Sequence, residues 1–182
     1  MTVRKVLTTP DEKLRLKSHL LTLGEVKSDE TKALIADIYD TMKAGEYGVG
    51  MSAIQVGEPV AAVVVMIRPT PNRPNLEHFN RVYLNLKIIK TFGEKKPMWE
   101  GCCSVQDDDR KPVYSKVPRY EKIEVEYLDE EGVEHKDVVY GFLAHVLQHE
   151  ADHLEGVIFT DLVPAESIVS QEVFKEAVKR GE

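Results

Sequence analysis

The chain has 182 residues, 42% hydrophobic and 30% charged, with a formal net charge of −7. That is enough chain for one compact domain with its own core, and residues 1–182 are expected to form a single unit. The negative balance and the lack of any cluster of Lys and Arg exclude a nucleic-acid-binding surface of the usual phosphate-neutralising kind. The N-terminal Met1-Thr-Val-Arg-Lys runs into polar sequence with no signal peptide. The longest apolar run, Val60 to Ile67, is far too short to cross a bilayer.

In chain order, Thr9-Pro10-Asp11 opens a loop that continues through polar sequence to about residue 27. Ser28, with Glu30 and Thr31, caps a predicted helix whose Leu34, Ile35, Ile38 and Met42 recur at helical spacing and which ends near Ala44-Gly45. A Gly-rich stretch, Gly48-Val-Gly-Met-Ser-Ala-Ile-Gln55, leads to the β-branched run Val60 to Ile67, a buried strand. Residues 68–80 carry three prolines and read as a surface loop, and Val82 to Ile89 as a second strand. Clear alternation at Ile123, Val125 and Tyr127 makes Lys122 to Leu128 a strand, turned by Asp129-Glu-Glu-Gly132 into Val133 to Val139. A helix over Gly141 to Glu155 stops at Gly156. An extended segment over Val157 to Leu162 and an amphipathic helix over Ala165 to Lys179 follow. Strands grouped around helices without βαβ alternation indicate an α+β fold.

The chemistry concentrates in three places. In Gln148-His149-Glu150-Ala151-Asp152-His153, two histidines at i and i+4 share one helix face and can reach one metal ion, with a carboxylate between them. Neutral imidazoles leave the ion its charge to acidify water, and the carboxylate can take the proton. A catalytic metal needs a third protein ligand, and Glu100-Gly101-Cys102-Cys103-Ser104 offers a thiolate. A thiolate suits iron(II), zinc, cobalt or nickel and excludes magnesium or calcium. Vicinal cysteines such as Cys102 and Cys103 rarely bridge each other, so no disulfide scaffold is expected. In the Gly48–Gln55 stretch, glycines permit close approach of a ligand's backbone, and Gln55 offers an amide donor for a developing oxyanion.

Together, in this order, these stretches resemble the peptide deformylase family. That family is marked by Gly-x-Gly-x-Ala-Ala-x-Gln, Glu-Gly-Cys-x-Ser and a His-Glu-x-x-His helix preceded by Gln. The resemblance runs from Pro10-Asp11 through Ile158-Phe159, and Asp152-His-Leu-Glu-Gly156 extends the helix motif. It implies antiparallel β-sheets wrapped around a central metal-binding helix, with a C-terminal helix. It implies Cys102, His149 and His153 as metal ligands, Glu150 as general base and then acid, and Gln55 with the backbone N–H of Cys103 as the oxyanion hole. The backbone around Val49, Gly50 and Gly101 would pair with an extended substrate peptide. The implied reaction is removal of the formyl group from the N-terminal formylmethionine of nascent polypeptides, with one divalent ion: iron(II) first, with zinc, nickel and cobalt as the other candidates.

The implied partners are nascent formylated chains, met at the ribosome, with a monomeric enzyme that binds neither nucleic acid nor membrane. The implied compartment is a bacterial-type cytoplasm, or an organelle if a transit peptide has been removed. Four departures stand out: Ser52 for the usual Ala, Cys103 for the usual Leu, a charged loop over Gln106 to Lys116, and His145 where an apolar residue normally lines the pocket for the substrate's methionine. The competing readings are a zinc endopeptidase using the same helix motif and a deformylase-like binding protein without activity.

Overall fold

The computed structural model describes residues 2–45, 48–69 and 77–181. The first segment is not featureless: Asp11 caps a short 3-10 turn over Glu12–Arg15, and Thr22 with Glu25 forms a reciprocal capping box on α1 (Leu23–Val26). Helix α2 (Asp29–Ala44) begins where the sequence places it, because the Ser28 hydroxyl accepts the Thr31 N–H at 3.1 Å. It ends at Gly45, whose N–H reaches back to the Thr41 carbonyl. Its buried Leu34, Ile35, Ile38 and Met42 form the inward stripe.

A short strand β1 (Gly50–Ser52) leads through a 3-10 turn (Ala53–Val56) to β2 (Ala62–Ile67). All six residues of β2 are buried, and their alternation explains the uninterrupted apolar run. Ala62, Val64 and Met66 pack with α2, while Val63, Val65 and Ile67 pack on the opposite face. Expectations for residues 70–76 lie outside the described residues.

Two strands depart from the sequence reading. The predicted strand over 82–89 is one part of β3 (Phe79–Gln106), a 28-residue strand, and its partner β4 spans Pro112–Leu128. The turn between them is therefore only 107–111, closed by the Asp107 carboxylate, which accepts the N–H groups of Asp109 and Lys111. Four register shifts interrupt the β3–β4 ladder. Bulges of this kind bend a long hairpin and hide its alternation from a sequence reading. At the first of them, Asn85 takes a positive φ of 56° and its side-chain amide holds both the N–H and the carbonyl of Leu21.

Strand β5 (Glu134–Tyr140) completes the antiparallel order β1-β2-β3-β4-β5. Helix α3 (Gly141–Leu154) starts directly from it at Gly141, where φ is +57°. The bent sheet wraps α3, whose Ala144, Val146, Leu147 and Leu154 pack against Val63, Tyr83, Ile123 and Val125.

The chain's end is more broken than the sequence suggests. Residues 157–162 hold a 3-10 turn (Phe159–Leu162), because the Asp161 carboxylate accepts the Ile158 N–H. The predicted helix over 165–179 divides into a 3-10 turn (Ala165–Ser167), a two-residue strand β6 (Val169–Ser170) paired with β4, and α4 (Gln171–Lys179). Among the described residues, no helix is long and apolar enough to cross a membrane.

Candidate metal centre and active site

The last register shift of the β3–β4 ladder builds the site. Gly101 pairs with Tyr114 and the next pair is Gln106 with Pro112, so residues 102–105 leave the ladder. This bulge buries Cys102 against Leu14, Val117 and Phe159 and turns its sulfur toward α3, where Sγ lies 3.3 Å from His153 Nε2. The ligand atoms of Cys102, His149 and His153 all lie within 4.8 Å of one another. No disulfide joins Cys102 and Cys103.

The donor set fits a divalent ion on three grounds. His149 Nδ1 donates to Glu100 Oε2 at 2.8 Å, since an ionised carboxylate only accepts, and this leaves Nε2 as the nitrogen that could coordinate an ion. Burial, reinforced by His149, holds the His153 imidazole well below its usual pKa and hence neutral, the form that binds metals. Hydrogen bonding to Cys103 and burial push the Cys102 thiol up, so its ionised form needs a positive neighbour, which a divalent cation provides.

Glu150 lies beside the ligands and is only 2% exposed. Its Oε2 accepts the Ser52 hydroxyl at 2.7 Å. A Cβ on Gly50 would sit 2.4 Å from Oε1, so the carboxylate occupies the place of a side chain on β1. Burial raises the pKa of Glu150, opposed by His149 and Ser52. Gln55 is held from both ends. Its Oε1 accepts the Ser52 N–H at 2.9 Å, and its Nε2 donates to Ser104 Oγ at 3.1 Å and lies 3.4 Å from each cysteine sulfur.

Glu100 stands in the Glu100–Ser104 motif with no role apparent from its position there, and no sequence motif points to Arg119. Arg119 grips Glu100 through Nε (2.6 Å) and a terminal nitrogen (3.1 Å), and its other terminal nitrogen lies 2.6 Å from Asp152. A carboxylate buried to this depth costs several kcal/mol unless it is fully partnered, and here it is. Burial raises the Glu100 pKa, but hydrogen bonds from His145, His149 and Arg119 outweigh it and hold the carboxyl well below the usual range. One signal was available: Glu100 lies two residues before Cys102, so it shares that ligand's strand face.

A cavity of about 600 Å³ opens over these groups. Val49, Gly50, Gln55, Gly101, Cys102, Cys103, His145, His149 and Glu150 line it, which brings together every site residue named from sequence except the fully buried His153. β1 stands at the end of the strand order, so its second edge is unpaired among the described residues. His145 is in the wall, but its Nε2 is engaged with Glu100 Oε1 at 2.8 Å and its Nδ1 is buried without a protein partner. The departure at His145 thus joins the network behind His149.

Residues 3–167 match the polypeptide deformylase family model. A peptide deformylase 2 of Vibrio cholerae is 38% identical over 181 residues, covering 98% of each chain. A peptide deformylase of Rhizorhabdus wittichii is 37% identical over 163 residues, covering 88% of this chain and 86% of its own. The solved class I type b peptide deformylase of Acinetobacter baumannii with Met-Ala-Ser bound superposes with a TM-score of 0.81 at 30% identity, covering 89% of this chain and 99% of that one. The chain belongs to the polypeptide deformylase family, metal-binding hydrolases that remove the formyl group from the N-terminal formylmethionine of polypeptides.

Proposed function

We propose the following division of labour for that reaction. Cys102, His149 and His153 hold one divalent ion, iron(II) in the native enzyme, for which one soft thiolate with two imidazoles is a suitable set. When bound, the ion supplies Lewis acidity, polarising the formyl carbonyl and bringing the pKa of water towards about 7.

Glu150 takes the proton from the attacking water and delivers it to the departing amine nitrogen. Its raised pKa suits the second duty, and the Ser52 hydroxyl keeps the carboxylate oriented for the first. The Gln55 amide and the backbone N–H of Cys103 donate to the oxygen that gains charge in the tetrahedral intermediate. The peptide lies extended along the open edge of β1, with Val49, Gly50 and Gly101 supplying backbone partners. Its first side chain enters the wall that contains His145. The chain works as one catalytic domain, a monomer in a bacterial-type cytoplasm that meets its substrates at the ribosome.

The observation that carries this reading is the clustering of a thiol and two imidazoles next to a buried carboxylate, under a cavity beside an open strand edge. The test uses formyl-Met-Ala-Ser, the formylated form of the peptide bound in the Acinetobacter baumannii enzyme. Protein purified without air and analysed for metal should release formate in proportion to its iron content. Turnover unrelated to metal content would overturn the reading.

A further inference from the structure

Alternation along β3 divides the cavity wall into two faces. Glu100 and Cys102 point toward α3, as their contacts with His145, His149 and His153 establish. Trp99 and Gly101 therefore point the other way. A Cβ on Gly101 would lie 2.5 Å from the Tyr114 ring, which occupies the space that a side chain would fill. Tyr114 stacks on Phe174 of α4 with centroids 4.0 Å apart and planes 5° from parallel, and Trp99 meets the same Phe174 edge-on at 5.3 Å. These three rings are half-buried and, with Gln171 one turn earlier on α4, line the same cavity as Glu150 and His149. The C-terminal helix is thus part of the catalytic cavity. Its position is fixed by the pairing of β6 with Val113 and Tyr114 and by the Ser170 cap.

We propose that Trp99, Tyr114 and Phe174 form a subsite for the side chain of the second residue of the substrate, and that it selects aromatic and branched apolar chains. This rests on the reading that the peptide lies extended beside β1. Successive side chains of an extended peptide alternate between faces, so a first side chain directed to the α3 wall sends the second toward the rings. Flat, polarisable surfaces with an apolar floor favour a ring or a branched aliphatic chain over alanine or a carboxylate. An apolar pocket of this kind discriminates by roughly tenfold or somewhat more.

The experiment uses the metal-loaded full chain and peptides formyl-Met-Xaa-Ser, with Xaa as Phe, Leu, Ala or Asp. The expected order of kcat/KM is Phe and Leu above Ala by roughly tenfold, with Asp lowest. Phe174→Ala should collapse the Phe/Ala ratio towards one. Phe174→Leu, which keeps an apolar anchor for α4, should cut it severalfold. Calorimetric binding of the unformylated Met-Phe-Ser and Met-Ala-Ser to the same proteins should give the same ratios.

Equal kcat/KM across the series, or a Phe/Ala ratio untouched in both variants, overturns the subsite while leaving deformylation intact. If no formyl peptide is turned over, a Phe174-dependent preference in binding still supports the subsite and the failure lies with the catalytic assignment. Equal binding of the two product peptides then overturns both.

Discussion

Gly50 and Ser52 meet the Glu150 carboxylate from the same short strand, one by lacking a side chain and the other by donating a hydrogen bond. Gly50→Ala puts a methyl group 2.4 Å from where Oε1 now lies, and Glu150 must swing away. Misplacement on the ångström scale costs about 10²-fold, so turnover should fall on that order while metal content, measured by elemental analysis, stays full. Full activity in Gly50→Ala would mean that the carboxylate does not act from its present position. Glu150→Gln keeps the shape and loses the proton carrier, so kcat should drop ~10²–10⁴-fold with metal retained. Near-normal turnover would assign the base elsewhere. The candidate metal centre was legible because the His149–His153 spacing lies within one helix and Cys102 within one pentapeptide. The support behind them was not. Glu100, Arg119 and His145 meet only through a cross-strand and strand-to-helix arrangement that no local spacing encodes.

At the level of elements, helices α2 and α3 were readable from period and caps, and β2 from its β-branched run. The hairpin of β3 and β4 was not, because bulges break its alternation and residues 90–96, with exposed Lys90, Glu94, Lys95 and Lys96, carry no apolar period. The divided C-terminus escaped for a related reason: two residues of β6 are too few to show a period. Helix α2 also carries the tie to the N-terminal segment. Asp37 accepts the Thr2 N–H at 2.6 Å and Arg4 Nε at 2.8 Å, and these bonds, with Arg4 first, lower its pKa. A depressed folded-state pKa means stabilisation that is complete above the unfolded value, about 3.9, and lost as pH falls through the folded one. Asp37→Asn should therefore lower Tm at pH 7. The gap from the parent should shrink only below about pH 4, where the unfolded Asp begins to protonate. A gap constant from pH 7 to pH 3 would show that Asp37 acts through packing and not through its charge.

Across the whole molecule, the proposed ion cross-links two elements that are distant in sequence, since Cys102 on β3 and His153 on α3 stand 51 positions apart. An ion that binds the folded chain and not the unfolded one stabilises it by RT ln(1 + [L]/Kd), about 4 kcal/mol at a thousandfold excess over Kd. For a chain of this length that corresponds to a Tm shift on the order of 10 °C. Chelation should lower Tm by that order, and readdition of iron(II) or nickel should restore it. Cys102→Ala removes the only β3 ligand, so its Tm should resemble the chelated parent and ignore both chelator and added metal. Cys103→Ala leaves the three ligands in place and should keep the metal-dependent rise, although Gln55 Nε2 lies equally close to both sulfurs in the parent. The pair of variants therefore separates the two adjacent thiols by a measurement that does not depend on turnover. A metal-dependent Tm that survives in Cys102→Ala and vanishes in Cys103→Ala would reverse the ligand assignment. It would also require the bulge at residues 102–105 to present its other face to α3.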